Sequence, residues 1–180
     1  MLCIIRQQTD PYFNLAAEEY AMNALDGDCF MLWRNAPAVI VGRHQNTLAE
    51  IDANFVRARA IPVVRRLSGG GAVFHDLGNL NYTFIVADSR ARIDFRRFSQ
   101  PILDALRDMG VPARFEGRND LTIDGRKFSG NAECVSGGRL LHHGTLLFAA
   151  RMTDLSAALR PDPAKFAGKA VKSVRGRVTN

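Results

Sequence analysis

The chain has 180 residues, 47% of them hydrophobic, and a formal net charge of +6 at pH 7. This size and composition fit one soluble globular domain with a sizeable core, and no repeat, low-complexity tract or apolar run of membrane-spanning length is present. Cys3, Cys29 and Cys134 are odd in number and widely spaced, which argues against a disulfide frame or a zinc site and for reduced thiols in the cytoplasm. The positive surplus favours an anionic partner without choosing among nucleic acid, nucleotide and an acidic protein surface.

Met1–Arg6 lacks a signal-peptide pattern, and residues 2–6 read as a strand. Asp10 and Pro11 open a helix to about Leu25, with Tyr12, Leu15, Met22 and Leu25 along one stripe. Glu18 and Glu19 inside it read as solvated or paired, with no chemistry attached. Residues 29–34 and 38–42 read as two strands joined in hairpin fashion around Asn35-Ala36-Pro37. A short helix over 52–60 follows, and Pro62-Val63-Val64 leads as a strand into a glycine-rich loop.

That loop, Arg65-Arg66-Leu67-Ser68-Gly69-Gly70-Gly71-Ala72-Val73-Phe74-His75-Asp76, is the most distinctive stretch of the chain. Consecutive glycines cost backbone entropy, so a run of them implies either positive φ in a tight turn or a backbone approached closely by a ligand. The two arginines ahead of it favour a ligand with phosphate or carboxylate, although a surface turn beside a solvated arginine pair fits the same residues. No Gly-Lys-Ser/Thr closes the loop, and the residues after it read as a strand where a dinucleotide fingerprint needs a helix.

Beyond the turn at Leu77-Gly78-Asn79, a strand over 80–86 puts Leu80, Tyr82, Phe84 and Val86 on one face and Asn81 and Thr83 on the other. A helix from about Asp94 to Met109 carries Phe98, Ile102, Ala105, Leu106 and Met109 on one stripe and stops at Gly110. Strands then dominate to Ala149, followed by helical segments at 153–160 and 163–168. The order is α+β: a mixed, mainly antiparallel sheet flanked by helices.

Asp124-Gly125 between alternating runs predicts a two-residue type I′ hairpin. Its register sets Ile123 opposite Arg126, Thr122 opposite Lys127, Leu121 opposite Phe128 and Asp120 opposite Ser129. Leu121, Ile123 and Phe128 then face a core, while Asp120, Thr122, Lys127 and Ser129 share the other face, with Asp120 and Lys127 as diagonal neighbours. Such a face is either a solvated ion pair or a platform for an anion, in which Lys127 meets a phosphate or polarised carbonyl and Asp120 a magnesium ion or hydroxyl. Gly130 beside it permits close backbone approach. His142 and His143 are adjacent on a strand and point to opposite faces, so one belongs to the core and the other can line a site. With His75 they form no zinc spacing, and no assembled nucleophile is visible.

Residues 65–79 closely resemble the Arg-Arg-x-x-Gly-Gly-Gly-x-Val-Phe-His-Asp-x-Gly-Asn signature of the lipoate–protein ligase family. Lys127-Phe128-Ser129-Gly130-Asn131-Ala132 with Leu141-His142-His143-Gly144-Thr145 resembles its second block. Val171–Asn180 resembles a third, which favours ligases over the related octanoyltransferases. The resemblance implies a catalytic domain like those of biotin–protein ligases and class II aminoacyl-tRNA synthetases, spanning 1–180, cut short at its C-terminal end and without an accessory domain. The implied reaction joins lipoate and MgATP into lipoyl-AMP, then transfers the lipoyl group to a lysine of a carrier domain. Carriers of this kind belong to the E2 subunits of 2-oxoacid dehydrogenases or are the H protein of glycine cleavage.

The resemblance also implies roles. Arg66, Ser68, Gly69, Gly70, Gly71, Ala72, Val73, Phe74 and His75 would hold the adenylate, with Gly130, His143, Gly144 and Thr145 beside them. Lys127 would be the catalytic charge, and Asn119 and Asp120 would lie near the nucleotide and Mg2+. The chain's end at Asn180 implies either a fragment or a separate accessory chain. An octanoyl or lipoyl transferase that needs no ATP, and a non-catalytic lipoyl- or nucleotide-binding module, are the alternatives. No nucleic-acid motif, row of stacking aromatics or membrane partner is read from the chain.

Overall fold

A computed structural model describes residues 1–87, 92–159 and 178–180. In chain order the elements are β1 (Leu2–Ile5), α1 (Pro11–Ala24), β2 (Cys29–Trp33), β3 (Ala38–Val41), α2 (Ala53–Ala58), β4 (Val63–Arg65), β5 (Val73–His75), β6 (Asn79–Ala87), α3 (Phe95–Asp108), β7 (Arg114–Glu116), β8 (Asp120–Ile123), β9 (Arg126–Ser136), β10 (Arg139–Leu147) and α4 (Met152–Ala158). A single turn of 3₁₀ helix at Thr47–Ala49 lies between β3 and α2. The helix predicted at 163–168, and the third block up to residue 177, lie outside the described residues.

Seven strands form the main sheet in the order β1-β2-β6-β10-β9-β8-β7, and three form a second sheet, β4-β3-β5. Only β1–β2 and β3–β4 pair in parallel among the described strands, so the predicted mixed, mainly antiparallel character holds. Alternation along β6 and β10 gives the main sheet two buried faces. On one, Leu15, Ala21 and Met22 of α1 and Ala38 and Ile40 of the small sheet pack on Met31, Trp33, Ile85 and Leu141. On the other, Phe98 of α3 packs on Tyr82, Phe84, Val86 and Leu140, while Leu103 joins Leu121 and Phe128. Each large apolar side chain buried this way contributes roughly 1.5–3 kcal/mol before entropy is set against it.

Three local readings need correction. The strands around Asn35-Ala36-Pro37 are not a hairpin: β2 stays in the main sheet, while β3 is the middle of the small one. Buried polar bonds hold this crossing, Asn14 Nδ2 donating to Arg34 O and Asn35 Oδ1, and Ala36 N–H to Thr9 O. Tyr12 and Met109 are 57% and 70% exposed; the buried stripe of α1 instead carries Asn14 and Glu18 beside Leu15 and Met22. In the hairpin, Asp124 and Gly125 have φ of 50° and 69°, as a type I′ turn demands. Ile123–Arg126 and Thr122–Lys127 pair as expected, but a bulge then sets Leu121 opposite Ser129 and Asp120 opposite Gly130. Phe128 is the extra residue; the bulge leaves both it and Leu121 in the core and also buries Ser129.

Candidate active site

The glycine loop between β4 and β5 is shaped from behind. Arg66 is 8% exposed, and its Nη2 donates to Gly69 O at 2.6 Å and Gly71 O at 2.8 Å. Nη1 reaches Ile40 O at 3.2 Å, and Nε reaches Ser68 Oγ at 3.1 Å. Gln45 Nε2 donates to Gly70 O at 3.1 Å, and Arg43 N–H donates to Ser68 O at 2.9 Å. The carbonyls of Ser68, Gly69, Gly70 and Gly71 are therefore all engaged by the protein. Gly70 has φ +92°, a region that only glycine enters cheaply. Gly42 passes so close that a Cβ there would stand 1.9 Å from Gly70 O, a dependence on a distant glycine that the sequence reading missed.

Arg65 is exposed but folds its guanidinium onto the neighbouring loop, donating to Gly42 O, Arg43 O and Gln45 O at 2.8, 3.2 and 3.0 Å. Burial pushes the Arg66 guanidinium down to about 10, opposed by Glu18 and Glu50, and leaves it charged at neutral pH.

Beneath the loop lies a polar chain on the α1-facing side of the main sheet. Ser68 Oγ meets His143 Nε2 at 2.6 Å, and His143 Nδ1 meets Glu18 Oε1 at 3.0 Å. Thr83 Oγ1 donates to the same carboxylate oxygen at 2.5 Å, and Trp33 Nε1 donates to Thr83 Oγ1 at 2.9 Å. Glu18 is 2% exposed, so of the two readings, solvated or paired, the paired one holds. His142, on the opposite face, pairs with Glu133 at 2.7 Å within the core under α3. The two histidines thus divide as the strand period predicted.

The second part of the site is on β8 and β9. Lys127 Nζ stands 2.6 Å from Asp120 Oδ1, both side chains more than one-third exposed. The bulge puts Gly130 opposite Asp120, and Lys127 lies across its α-carbon. Gly130 N–H donates to Thr145 Oγ1 at 3.4 Å. β10 joins the two parts: His143 reaches the glycine loop through Ser68, and Thr145, on the same strand face about 7 Å further on, borders the lysine. Val178 bridges to Lys127, with Thr179 N–H donating to Lys127 O at 2.8 Å.

Other predicted site residues are placed for packing or scaffolding. Ala72 and Phe74 are buried with Val39, Val41 and Val56, so they present backbone alone, while Val73 is partly exposed. His75 is buried, with Nδ1 3.2 Å from Asn35 Nδ2 and Nε2 without a protein partner. Desolvation, with Arg66 and His143 nearby, drives its pKa down to about 3, so the ring is neutral. Asn119 spends its amide on Asn131 O at 2.5 Å, pinning β8 to β9. Gly144 makes room for the buried bond between Tyr82 Oη and Asn131 Oδ1. Among the described residues no group of three or more His, Cys, Asp or Glu could hold a metal. Asp120 supplies a single carboxylate, which suits Mg2+ only when substrate phosphates complete its shell.

The glycine loop and the Lys127–Asp120 pair thus lie at opposite ends of one face of β10, on a mainly antiparallel sheet. The chain belongs to the Lipoyl protein ligase A/B catalytic domain family, whose model matches residues 10–180. Among curated relatives, "Lipoate-protein ligase LplJ" of Bacillus subtilis is 45% identical over the whole of this chain and 56% of its own length. A solved "lipoate-protein ligase A bound with ATP" superposes with TM-score 0.84 and 26% identity, over 100% of this chain and 76% of that one. A bi-partite lipoate protein ligase from Thermoplasma acidophilum, described with its E2 lipoyl domain, gives TM-score 0.82 and 28% identity, over 91% and 68%. The chain spans about half the length of the curated relatives it matches. No helix among the described residues is long and apolar enough to cross a membrane.

Proposed function

We propose that residues 1–180 act as the catalytic domain of a lipoate–protein ligase. A single observation carries this reading. The loop from Ser68 to Gly71 has each carbonyl bonded by the protein, which turns its carbonyls inward and favours its backbone N–H groups as the side offered to a ligand. It therefore suits an acceptor-rich group such as a phosphate or carboxylate, with the Lys127 ammonium on the adjoining strands. The ATP-bound relative supports a nucleotide there, and the relatives' names support lipoate as the acid.

In the first step a lipoate carboxylate oxygen attacks the α-phosphorus of ATP, the bond to pyrophosphate breaks, and lipoyl-AMP forms. In the second, a carrier lysine amine attacks the acyl carbon, the bond to AMP breaks, an amide forms and the amine loses a proton. Lys127 stabilises the negative charge that grows on phosphate and carbonyl oxygens; one such donor is typically worth about 3 kcal/mol. Arg66, Ser68 and Gly69–Gly71 give the loop its shape, and Ala72, Val73 and Phe74 continue it as backbone. Asp120 would hold Mg2+ together with substrate phosphates, where the ion supplies charge neutralisation for departing pyrophosphate. The macromolecular partner is a lipoyl carrier domain, of an E2 subunit or an H protein, as the archaeal relative's E2 lipoyl domain supports. A separate accessory chain would be a further partner, and the cytoplasm is the compartment that the free thiols suit.

Mass spectrometry of a carrier domain incubated with the protein, lipoate and MgATP tests the proposal. A lipoyl mass gain that depends on ATP supports it; a gain only from an acylated carrier donor, without ATP, overturns it in favour of a transferase. Preformed lipoyl-AMP in a parallel reaction separates transfer from adenylation.

A further inference from the structure

The buried polar chain under the glycine loop has a direction. Glu18 is a carboxylate and accepts only, so His143 Nδ1, at 3.0 Å, carries a hydrogen toward it. With a single proton on the ring, the opposite nitrogen, Nε2, is an acceptor, and the Ser68 hydroxyl 2.6 Å away donates to it. Ser68 Oγ is in turn left to accept from Arg66 Nε at 3.1 Å. Hydrogens therefore run one way from a buried guanidinium to a buried carboxylate, and Ser68 and His143 bridge the two charges. A buried charge without such compensation is costly, and Arg66 is the group that gathers Gly69 O and Gly71 O.

We propose that Glu18 and His143 are positioning residues: they orient the Ser68 hydroxyl, which fixes Arg66 and so holds the glycine loop in its ligand-ready shape. Neither need touch the reacting atoms. The Ser-His-Glu distances resemble those of a hydrolytic triad, but Ser68 is fully buried and its hydroxyl is already committed on both sides, so it serves as a strut and not as a nucleophile. Glu18 looked inert in the sequence because a glutamate inside a helix usually faces water; here it occupies the buried stripe of α1.

The inference rests on the ligase reading only for the ligand used in its test. Nitrogen-15 NMR of the histidine side chains gives a readout that needs no ligand. His143 should show a protonated Nδ1 and an unprotonated Nε2, and Glu18→Gln should erode that preference; an Nε2–H tautomer in the wild type would overturn the inference. Calorimetric titration with lipoyl-AMP then compares Glu18→Gln, Ser68→Ala and the double variant. Each single change should weaken binding about tenfold or more, and the double should be little worse than the poorer single, because the chain acts as a unit. Additive losses, or a Glu18→Gln variant that binds as tightly as wild type, would refute the relay. If the wild type itself fails to bind lipoyl-AMP, the functional reading falls. The same cycle is then run on amide exchange of Gly70 and Gly71, which should quicken in all three variants if the relay holds the loop and stay at the wild-type rate if it does not.

Discussion

Lys127 lies across Gly130: its Nζ comes within 3.0 Å, and its Cε within 3.1 Å, of where a Cβ on Gly130 would stand. The lysine reaches Asp120 across a residue with no side chain, and a Cβ there would press on its tip. Gly130→Ala should therefore move the ammonium, not the fold. The glycine sits in a strand without positive φ, so stability should change by no more than about 0.5 kcal/mol. Adenylation should fall about tenfold, since displacing a reacting group by an ångström can cost up to roughly 100-fold. Pyrophosphate release together with urea unfolding checks both halves; unchanged turnover would show that the lysine adapts freely.

Lys127→Ala should lower turnover about 100-fold or more, as expected for removal of one preorganised donor to developing charge. The side chain is more than one-third exposed and its ion pair with Asp120 is worth at most about 1 kcal/mol, so the folded state should persist. Transfer from preformed lipoyl-AMP is the decisive assay. A variant that transfers normally would confine Lys127 to the first step.

Gly144→Ala should act in the opposite manner. A Cβ at this position would stand 2.2 Å from Asn131 Oδ1 and 2.5 Å from Tyr82 Oη, inside the sheet where neither can withdraw. The strain and the broken buried bond should cost about 2 kcal/mol or more. Denaturant midpoints measure this, and a variant as stable as the wild type would mean that the Tyr82–Asn131 pair is dispensable.

His75 supplies a pH dependence. Its folded pKa is about 3 against an ordinary 6.5, so the unfolded chain binds a proton that the folded chain refuses. The stability linked to this ring is complete above pH 6.5 and is lost as pH falls toward 3, at about 1.4 kcal/mol per pH unit. His142, depressed by burial against the pull of Glu133, contributes with the same sign. His75→Asn, which can keep an acceptor for Asn35, should flatten the decline by up to one proton. Urea unfolding at pH 7, 6, 5 and 4 resolves it; a slope identical to wild type would show that His75 is not the group responsible.

The readable parts of this chain were those where one residue type has one physical use. Asp124-Gly125 requires its turn, Asp10-Pro11 its helix start, and alternation on β6 its two faces. The illegible parts were buried polar groups and long-range steric debts. Glu18 read as either solvated or paired because a sequence shows polarity and not partners; Thr83 and His143 reach it from remote strands, as Asn35 reaches Asn14 from the connection after β2. Gly42 exists for Gly70, 28 positions away, and nothing local announces it. The arginine pair read as a clamp for phosphate or carboxylate, yet both guanidiniums bond backbone carbonyls of the protein, a difference that only the loop's geometry decides.

The occupied carbonyls of Ser68 to Gly71 bear on the second half-reaction as well. In the proposed reaction a carrier lysine entering as an ammonium meets carbonyls already bonded by the protein, and an amide oxygen is in any case too weak a base to take its proton. The amine would then arrive already as the free base, or pass its proton to water or to the departing adenylate phosphate. Acyl transfer should then climb with alkalinity following the ionisation of the carrier's own lysine, and the identity of the carrier, more than any base on this chain, would set where that climb begins.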